Sequence, residues 1–169
     1  MESHDNFAYL LPFIFFVFGC TFVFLQRWGS VSGRYWGIGY ISAAFGFAAP
    51  LILEKLPLEA QAIVSNAFFL SAFFCYGQAL YSRFGVPPAL AARLVFSAVA
   101  LATISYLVMI HDLKGELVAS DVACALLLAA PLWQVRGRIR RPIDWLLVSM
   151  VGLVLAETTF RLAAGLYLG

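Results

Sequence analysis

The 169-residue chain is 63% hydrophobic and only 12% charged, with a formal net charge of +2 at pH 7. Its mean hydropathy of +0.90 lies outside the range of soluble domains, and open sheet edges cannot be hydrogen-bonded in lipid. The composition therefore predicts an all-α, polytopic membrane protein whose surroundings are a lipid bilayer, and no nucleic-acid partner is expected.

Six apolar segments follow one another along the chain. Each is close to or above the roughly 20 residues that a helix needs to cross about 30 Å of hydrocarbon. They cover residues 8–25, 35–53, 61–81, 94–110, 117–133 and 145–168. Because the connections are short, the prediction is one domain, a bundle of six transmembrane helices.

The connections between these segments alternate in charge. Arginines mark three of them, at Arg27, Arg34, Arg83, Arg93, Arg136, Arg138, Arg140 and Arg141. The other side is acidic, with Glu2, Asp5, Glu54, Glu59, Asp112 and Glu116, and all four tryptophans fall on the arginine side. Since arginine-rich short loops stay cytoplasmic, we expect a bacterial inner-membrane protein whose amino terminus, starting at Met1 without a cleaved signal, lies outside.

The first two segments differ in how they should pack. Small residues recur along the second at three- and four-residue spacing, at Gly39, Ala43, Gly46 and Pro50, which favours close approach of a neighbouring helix. Phenylalanines surround the first segment, which predicts an outer, lipid-facing helix. The second segment is expected to be a buried packing helix.

Polar residues inside the spans are the candidate site, because such groups are costly at membrane depth and usually face the bundle interior. They are Asn66, Tyr106, Asp121, Glu157 and Arg161, and the predicted orientation puts all five in the outer half, where they could share one ligand pocket. Two readings stay open. Glu157 and Arg161, four residues apart, could simply pair with each other, or Arg161 could meet an anionic or lipid-like ligand that Asn66 and Tyr106 orient.

Several functions are made improbable by what the spans lack. No span contains lysine or histidine, which argues against a retinal Schiff base or an intramembrane bis-histidine haem. Cys20, Cys75 and Cys124 have no metal-ligand spacing and read as packing residues. No catalytic motif, metal site or cofactor is therefore predicted, and the arginine-rich run RGRIRRPID is read as a topology determinant that also grips anionic lipid, with a partner-docking surface as the alternative.

The run RYWGIGYISAAFGFAAPLIL, followed by a short turn and SNAFFLSAFFCYGQALYSRFG, resembles the amino-terminal membrane region of bacterial diguanylate cyclases of the GGDEF type. The matching features are Asn66 near the start of the third segment and Arg83, Phe84 and Gly85 at its exit. The resemblance implies a dimeric sensor that controls a cytoplasmic cyclase making cyclic di-GMP. The chain departs from that pattern because no seventh helix or GGDEF sequence follows, which suggests either an excised sensor region or a stand-alone relative.

Two other classes compete with a sensor. A non-catalytic accessory subunit of a larger membrane complex would also present an apolar outer surface to its partners. A small transporter would need a midplane site between broken helices, whereas Pro12, Pro50 and Pro131 lie toward helix ends.

Overall fold

The computed structural model describes the backbone of residues 5–28 and 31–167, and within these ranges it contains helices and no strands. The helices are α1 (Asp5–Leu25), α2 (Val31–Ile52), α3 (Leu58–Phe84), α4 (Leu90–Met109), α5 (Leu113–Val135) and α6 (Pro142–Tyr167), with 3-10 turns at Gln26–Trp28 and Arg136–Arg138. Five helices, α2 to α6, are long and apolar enough to cross a membrane, and the apolar part of α1, Tyr9–Leu25, is shorter. The all-α prediction is confirmed.

Every helix begins three or four residues before its predicted span, and α3 and α5 also end later than predicted. Arg83 lies in the last turn of α3, and Arg93 lies in the first turn of α4. The prediction that both lie in the connection between these helices is therefore wrong. Arginine favours helix formation. Its apolar stem can lie along apolar surface while the charged guanidinium reaches a polar environment, so an arginine need not end a helix.

Helix α3 lies at the centre of the fold. It packs against α2, α4 and α5, and its residue Leu70 joins Ile104 of α4 and Leu127 of α5 in one buried cluster. A second cluster joins its Leu80 to α5 and to Val151 of α6. Most interhelical contacts that position a site therefore involve α3.

Helices α1 and α2 cross closely through glycine. A Cβ atom added to Gly37 would lie 2.8 Å from the carbonyl oxygen of Gly19, and one added to Gly19 would lie 2.9 Å from the carbonyl oxygen of Gly37. On the α3 side of α2, Gly39 and Gly46 leave room for the rings of Tyr76 and Phe69. The predicted small-residue face is thus present at Gly39 and Gly46.

Two other members of the predicted pattern behave differently from each other. Ala43 is buried and shares that face, whereas Pro50 is exposed. Because Pro50 lies in the last turn of α2, it borders the helix end and does not contribute to the close approach.

The phenylalanines of α1 divide between two environments. Four are exposed, as expected of a lipid-facing helix: Phe13, Phe16, Phe18 and Phe24. Phe15 and Phe22 instead pack on Tyr40 of α2, with ring centroids 5.7 and 5.6 Å apart, and Tyr40 packs in turn on Tyr76 of α3 at 5.5 Å. An aromatic seam therefore ties α1 to the centre of the fold.

The connections gather at two ends of the helices. At the first, which we call the basic end, the α1–α2, α3–α4 and α5–α6 connections meet, and Arg83 pairs with Asp144 across them. At the other, the acidic end, His111 Nδ1 lies 3.7 Å from Glu59 Oε1, joining the α4–α5 connection to the start of α3. The alternation of charge along the sequence thus corresponds to two separate ends.

We expect Gly37→Val to destabilise the protein by about 1–3 kcal/mol, because the added atoms would overlap the α1 backbone, which cannot move aside like a flexible side chain. The midpoint of thermal unfolding in detergent measures this. Gly152→Val is the matched control, since no described residue of another helix lies within 4 Å of its Cβ position. Equal midpoints for the two variants would contradict the close crossing.

Candidate functional site

A polar network at the acidic end joins α3 to α5, and Asn66 is its centre. The Asn66 side chain is buried, with 8% exposure. Its Nδ2 atom donates to Oε1 of Glu116 at 2.8 Å and to the carbonyl oxygen of Ala62 at 3.0 Å. Ser120 Oγ donates to Asn66 Oδ1 at 2.8 Å. We call Asn66, Glu116 and Ser120 the Asn66 network.

Local helix geometry explains why α5 supplies two members of this network. Glu116 and Ser120 are four residues apart, so they lie on one face of the helix, and that face is turned toward α3. The start of α5 is set by Asp112, whose side chain accepts a hydrogen bond from the Gly115 backbone N–H at 2.9 Å, as an N-cap residue does. Glu116 is therefore held in the first turn, next to Asn66.

The other predicted site residues take different positions. Tyr106 is 65% exposed on α4 and does not join the Asn66 network. Asp121 is half-buried on α5, Glu157 is exposed on α6, and both have an interaction partner. The structure therefore brings Asn66 together with Glu116 and Ser120, which sequence reasoning had not selected.

The predicted ion pair between Glu157 and Arg161 depends on a side chain that lies outside the described residues. Both residues belong to α6, four positions apart. Next to Glu157, Thr158 is buried and its hydroxyl donates to the carbonyl oxygen of Val154 at 2.9 Å, which satisfies that hydroxyl within its own helix. The pair remains a prediction.

Arg93 is a buried charged residue that sequence reasoning treated only as a topology signal. It is 8% exposed, and its Nη2 atom donates to the carbonyl oxygen of Phe74 at 2.8 Å. Its guanidinium lies over the rings of Phe74 and Tyr81, with centroid distances of 4.5 and 5.3 Å. Carbonyl and aromatic faces are both favourable surroundings for a cation.

Gly77 of α3 provides the space that Arg93 occupies. A Cβ atom at Gly77 would collide with the Arg93 guanidinium and would lie 2.9 Å from the carbonyl oxygen of Leu127 on α5. The Nη1 atom of Arg93 is buried with no hydrogen-bond partner among the described residues. Arg93 thus extends from α4 across α3 toward α5, stabilised by one carbonyl and two rings.

The end of α3 is held by two arginine contacts. Asp144 of α6, with 7% exposure, accepts from Arg83 Nε at 3.1 Å and from Nη2 at 2.8 Å. Arg138 Nη1 donates to the carbonyl oxygens of Phe84 at 3.1 Å and of Gly85 at 2.6 Å. Because these carbonyls lack partners inside the helix, Arg138 acts as a cap, a role that the topology-determinant reading of its loop did not include.

Two cavities, each of about 280 Å³, lie at the basic end. None of the four predicted site residues whose side chains the structure describes, Asn66, Tyr106, Asp121 and Glu157, lines either of them. Arg83 lines both cavities. The cavity beside the α5–α6 connection is lined by three more arginines, Arg138, Arg140 and Arg141. The concave sites described at this end thus differ in place from the pocket that the sequence predicts.

Comparisons with protein families, curated proteins and solved structures found no match to this chain. The resemblance to the membrane region of GGDEF-type cyclases therefore stays an expectation from the sequence. Within the described residues no group of three histidine, cysteine, aspartate or glutamate side chains could hold a metal ion.

We expect Gly77→Ala to destabilise the protein by about 1–3 kcal/mol, because the methyl group would force the Arg93 guanidinium out of its place. In an Arg93→Ala background most of this cost should disappear, leaving the smaller part due to the Leu127 carbonyl. Thermal unfolding midpoints of the four proteins of this double-mutant cycle give the coupling energy. An equal cost of Gly77→Ala in both backgrounds would mean that Gly77 does not serve Arg93.

Proposed function

We propose that this chain is a membrane-embedded input module of a signalling protein, placed in a bacterial inner membrane with its basic end in the cytoplasm. A small or lipid-like ligand at the acidic end would alter the packing of α3 against α5, and α3 would carry this change to the basic end. The observation that carries the proposal is the Asn66 network, in which Asn66 of α3 and Glu116 of α5 are joined by a hydrogen bond between the two helices.

The Asn66 network is suited to respond to a ligand. The half-buried Glu116 carboxylate accepts a hydrogen bond from a neutral amide, Asn66 Nδ2. In that bond only the acceptor is charged, so a ligand with a cationic donor would bind the carboxylate more strongly than the amide does and could compete for Glu116. The predicted site residues Asp121 on α5 and Glu157 and Arg161 on α6 would supply further charged groups for such a ligand.

The basic end is suited to receive the change. Helix α3 has 27 residues, or a length of about 40 Å, and its far end is tied to the α5–α6 connection through Asp144 and Arg138. A shift or rotation of α3 would therefore displace the arginine-rich connection. By the resemblance stated above, the output would be a cyclase that makes cyclic di-GMP.

An effector can shift such an equilibrium only if it binds the two arrangements with different affinity. The two arrangements differ in how α3 packs against α5. Substitution of Asn66 should mimic an effector, because it changes the free-energy difference between these two packings. An accessory subunit, by contrast, would need no such coupling. It would copurify in fixed stoichiometry with the other subunits of a heteromeric complex.

The orientation is tested by cysteine labelling in intact cells. We expect Gly137→Cys, in the 3-10 turn after α5, to react with a membrane-impermeant maleimide only after the cells are permeabilised, and Lys114→Cys, at the acidic end, to react without permeabilisation. Apart from its chain neighbours, no described residue lies within 4 Å of the Cβ position of Gly137, and Lys114 is exposed. The unsubstituted chain controls for reaction at Cys20, Cys75 and Cys124, and the reverse pattern would overturn the orientation.

The coupling is tested with the same label in permeabilised membranes. We expect Asn66→Leu to change the labelling rate of Gly137→Cys about fivefold or more, the lower range of allosteric coupling, because the loss of two interhelical hydrogen bonds repositions α3. Ser71→Ala is the matched control on α3, since the Ser71 hydroxyl is exposed and donates only to Ala67 of its own helix. The three proteins compared are Gly137→Cys alone, with Asn66→Leu and with Ser71→Ala. Equal labelling rates in all three, together with copurification in a fixed heteromeric complex, would overturn the sensor proposal in favour of an accessory subunit.

A further inference from the structure

The two cavities at the basic end are neighbours on either side of Arg83. One, which we call the arginine basin, is lined by Arg83, Phe84, Arg138, Arg140, Arg141 and Asp144. The other, the apolar groove, lies where α1, α2 and α6 approach one another, and its lining includes Phe22, Leu25, Trp36, Ile143 and Leu147 together with Arg83. A polar site and an apolar site thus share one wall.

The charges around the arginine basin do not balance. Four arginines and a single carboxylate line it. That carboxylate, Asp144, forms an ion pair with Arg83 at 2.8 Å. Arg138 is held by two neutral carbonyl oxygens, so its charge remains. Arg140 and Arg141 are exposed, and no ion pair to either is formed within the described part of the chain.

The basin also faces the beginning of α6. Pro142, which has no N–H, opens that 26-residue helix, and the N–H groups of Asp144 and Trp145 donate to the carbonyl oxygen of Arg141. The helix therefore favours an anion through its dipole, and the hydrogen bonds to the anion come from the arginines. Arginine side chains recognise phosphate through pairs of parallel hydrogen bonds. The ligand chemistry that fits the basin is therefore a phosphate group.

The apolar groove decides which kind of phosphate compound fits. A free phosphate or a soluble phosphate ester would leave the groove unused, whereas a phospholipid carries an apolar chain that could enter it. Trp133 and Trp145 are largely exposed at this end, and Arg136 lies over the Trp133 ring at 3.2 Å from its centroid. Exposed tryptophans favour the headgroup level of a bilayer.

The geometry points to a binding site for an anionic phospholipid at the basic end, with the headgroup phosphate in the arginine basin and one acyl chain in the apolar groove. Arg140 and Arg141 bind the phosphate, and Arg83 separates the headgroup from the chain. The site is independent of the ligand proposed for the acidic end. It differs from a diffuse attraction of arginines to anionic lipid because it requires particular arginines and a particular groove.

The test uses fluorescence quenching of Trp36, which lines the groove. Full-length protein with Trp28, Trp133 and Trp145 replaced by Phe is reconstituted in phosphatidylcholine vesicles with increasing amounts of phosphatidylglycerol brominated on its acyl chains. We expect Trp36 to be half-quenched at a lower mole fraction of brominated phosphatidylglycerol than of brominated phosphatidylcholine. Equal fractions for the two lipids would overturn the proposal.

The arginines are tested by substitutions within one connection. Each of Arg140→Gln and Arg141→Gln should raise the half-quenching fraction of phosphatidylglycerol about fivefold, as expected from the loss of one arginine near an anionic surface. Arg136→Gln, which removes the same charge from the same connection but outside the basin, is the matched control and should have a smaller effect. Arg83 and Arg138 are left in place because they also hold the end of α3.

Two further outcomes separate the sources of the effect. Equal shifts for Arg136→Gln, Arg140→Gln and Arg141→Gln would indicate general surface charge and would overturn the basin as a site. Inorganic phosphate added to the solution should leave Trp36 quenched. Recovery of Trp36 emission with inorganic phosphate would assign the basin to a soluble anion and would overturn the lipid.

Discussion

The fold depends on the need of polar groups within apolar helices to find partners on neighbouring helices, because a polar group that is buried without a hydrogen bond costs free energy. Helix α3 meets this need along its length. Near its start Asn66 reaches Glu116 and Ser120, at Gly77 it admits the Arg93 guanidinium, and at its end Arg83 pairs with Asp144. Each contact links α3 to a different part of the fold, so α3 cannot be displaced at one end without a consequence for the helices around it.

Much of the fold could be predicted because hydropathy and charge act over whole segments. The helices, and the small-residue face of α2 at Gly39 and Gly46, follow from patterns that a sequence displays directly. Arg93 could not be predicted in this way, since a charged residue near a span is indistinguishable in sequence from one in a connection. The sequence offered one indirect signal, the glycine at position 77 of α3, which leaves space for the Arg93 side chain.

The candidate site was less accessible to sequence reasoning for a different reason. Depth can be derived from position along a helix, but rotation about the helix axis cannot, unless the sequence has a clear periodicity. Asn66 is buried, as expected of a polar residue that faces the bundle interior, while Tyr106, at a similar predicted depth, faces outward with 65% exposure. A role of either residue in ligand binding stays a prediction. Glu116 was assigned to a connection on its charge, although its spacing of four from Ser120 is the helical spacing that turns both toward α3.

The position of Arg93 has a consequence for the contact between α3 and α4. An arginine that faces lipid costs about 2.5–3.5 kcal/mol when a helix is inserted by the translocon, and less near the helix end, where the side chain reaches the headgroups. Once α4 lies against α3, the Phe74 carbonyl and two aromatic rings replace those headgroups. In a bilayer, Arg93 would therefore keep these surroundings only while α4 lies against α3, so the contact between the two helices depends on the fit of one arginine to one glycine.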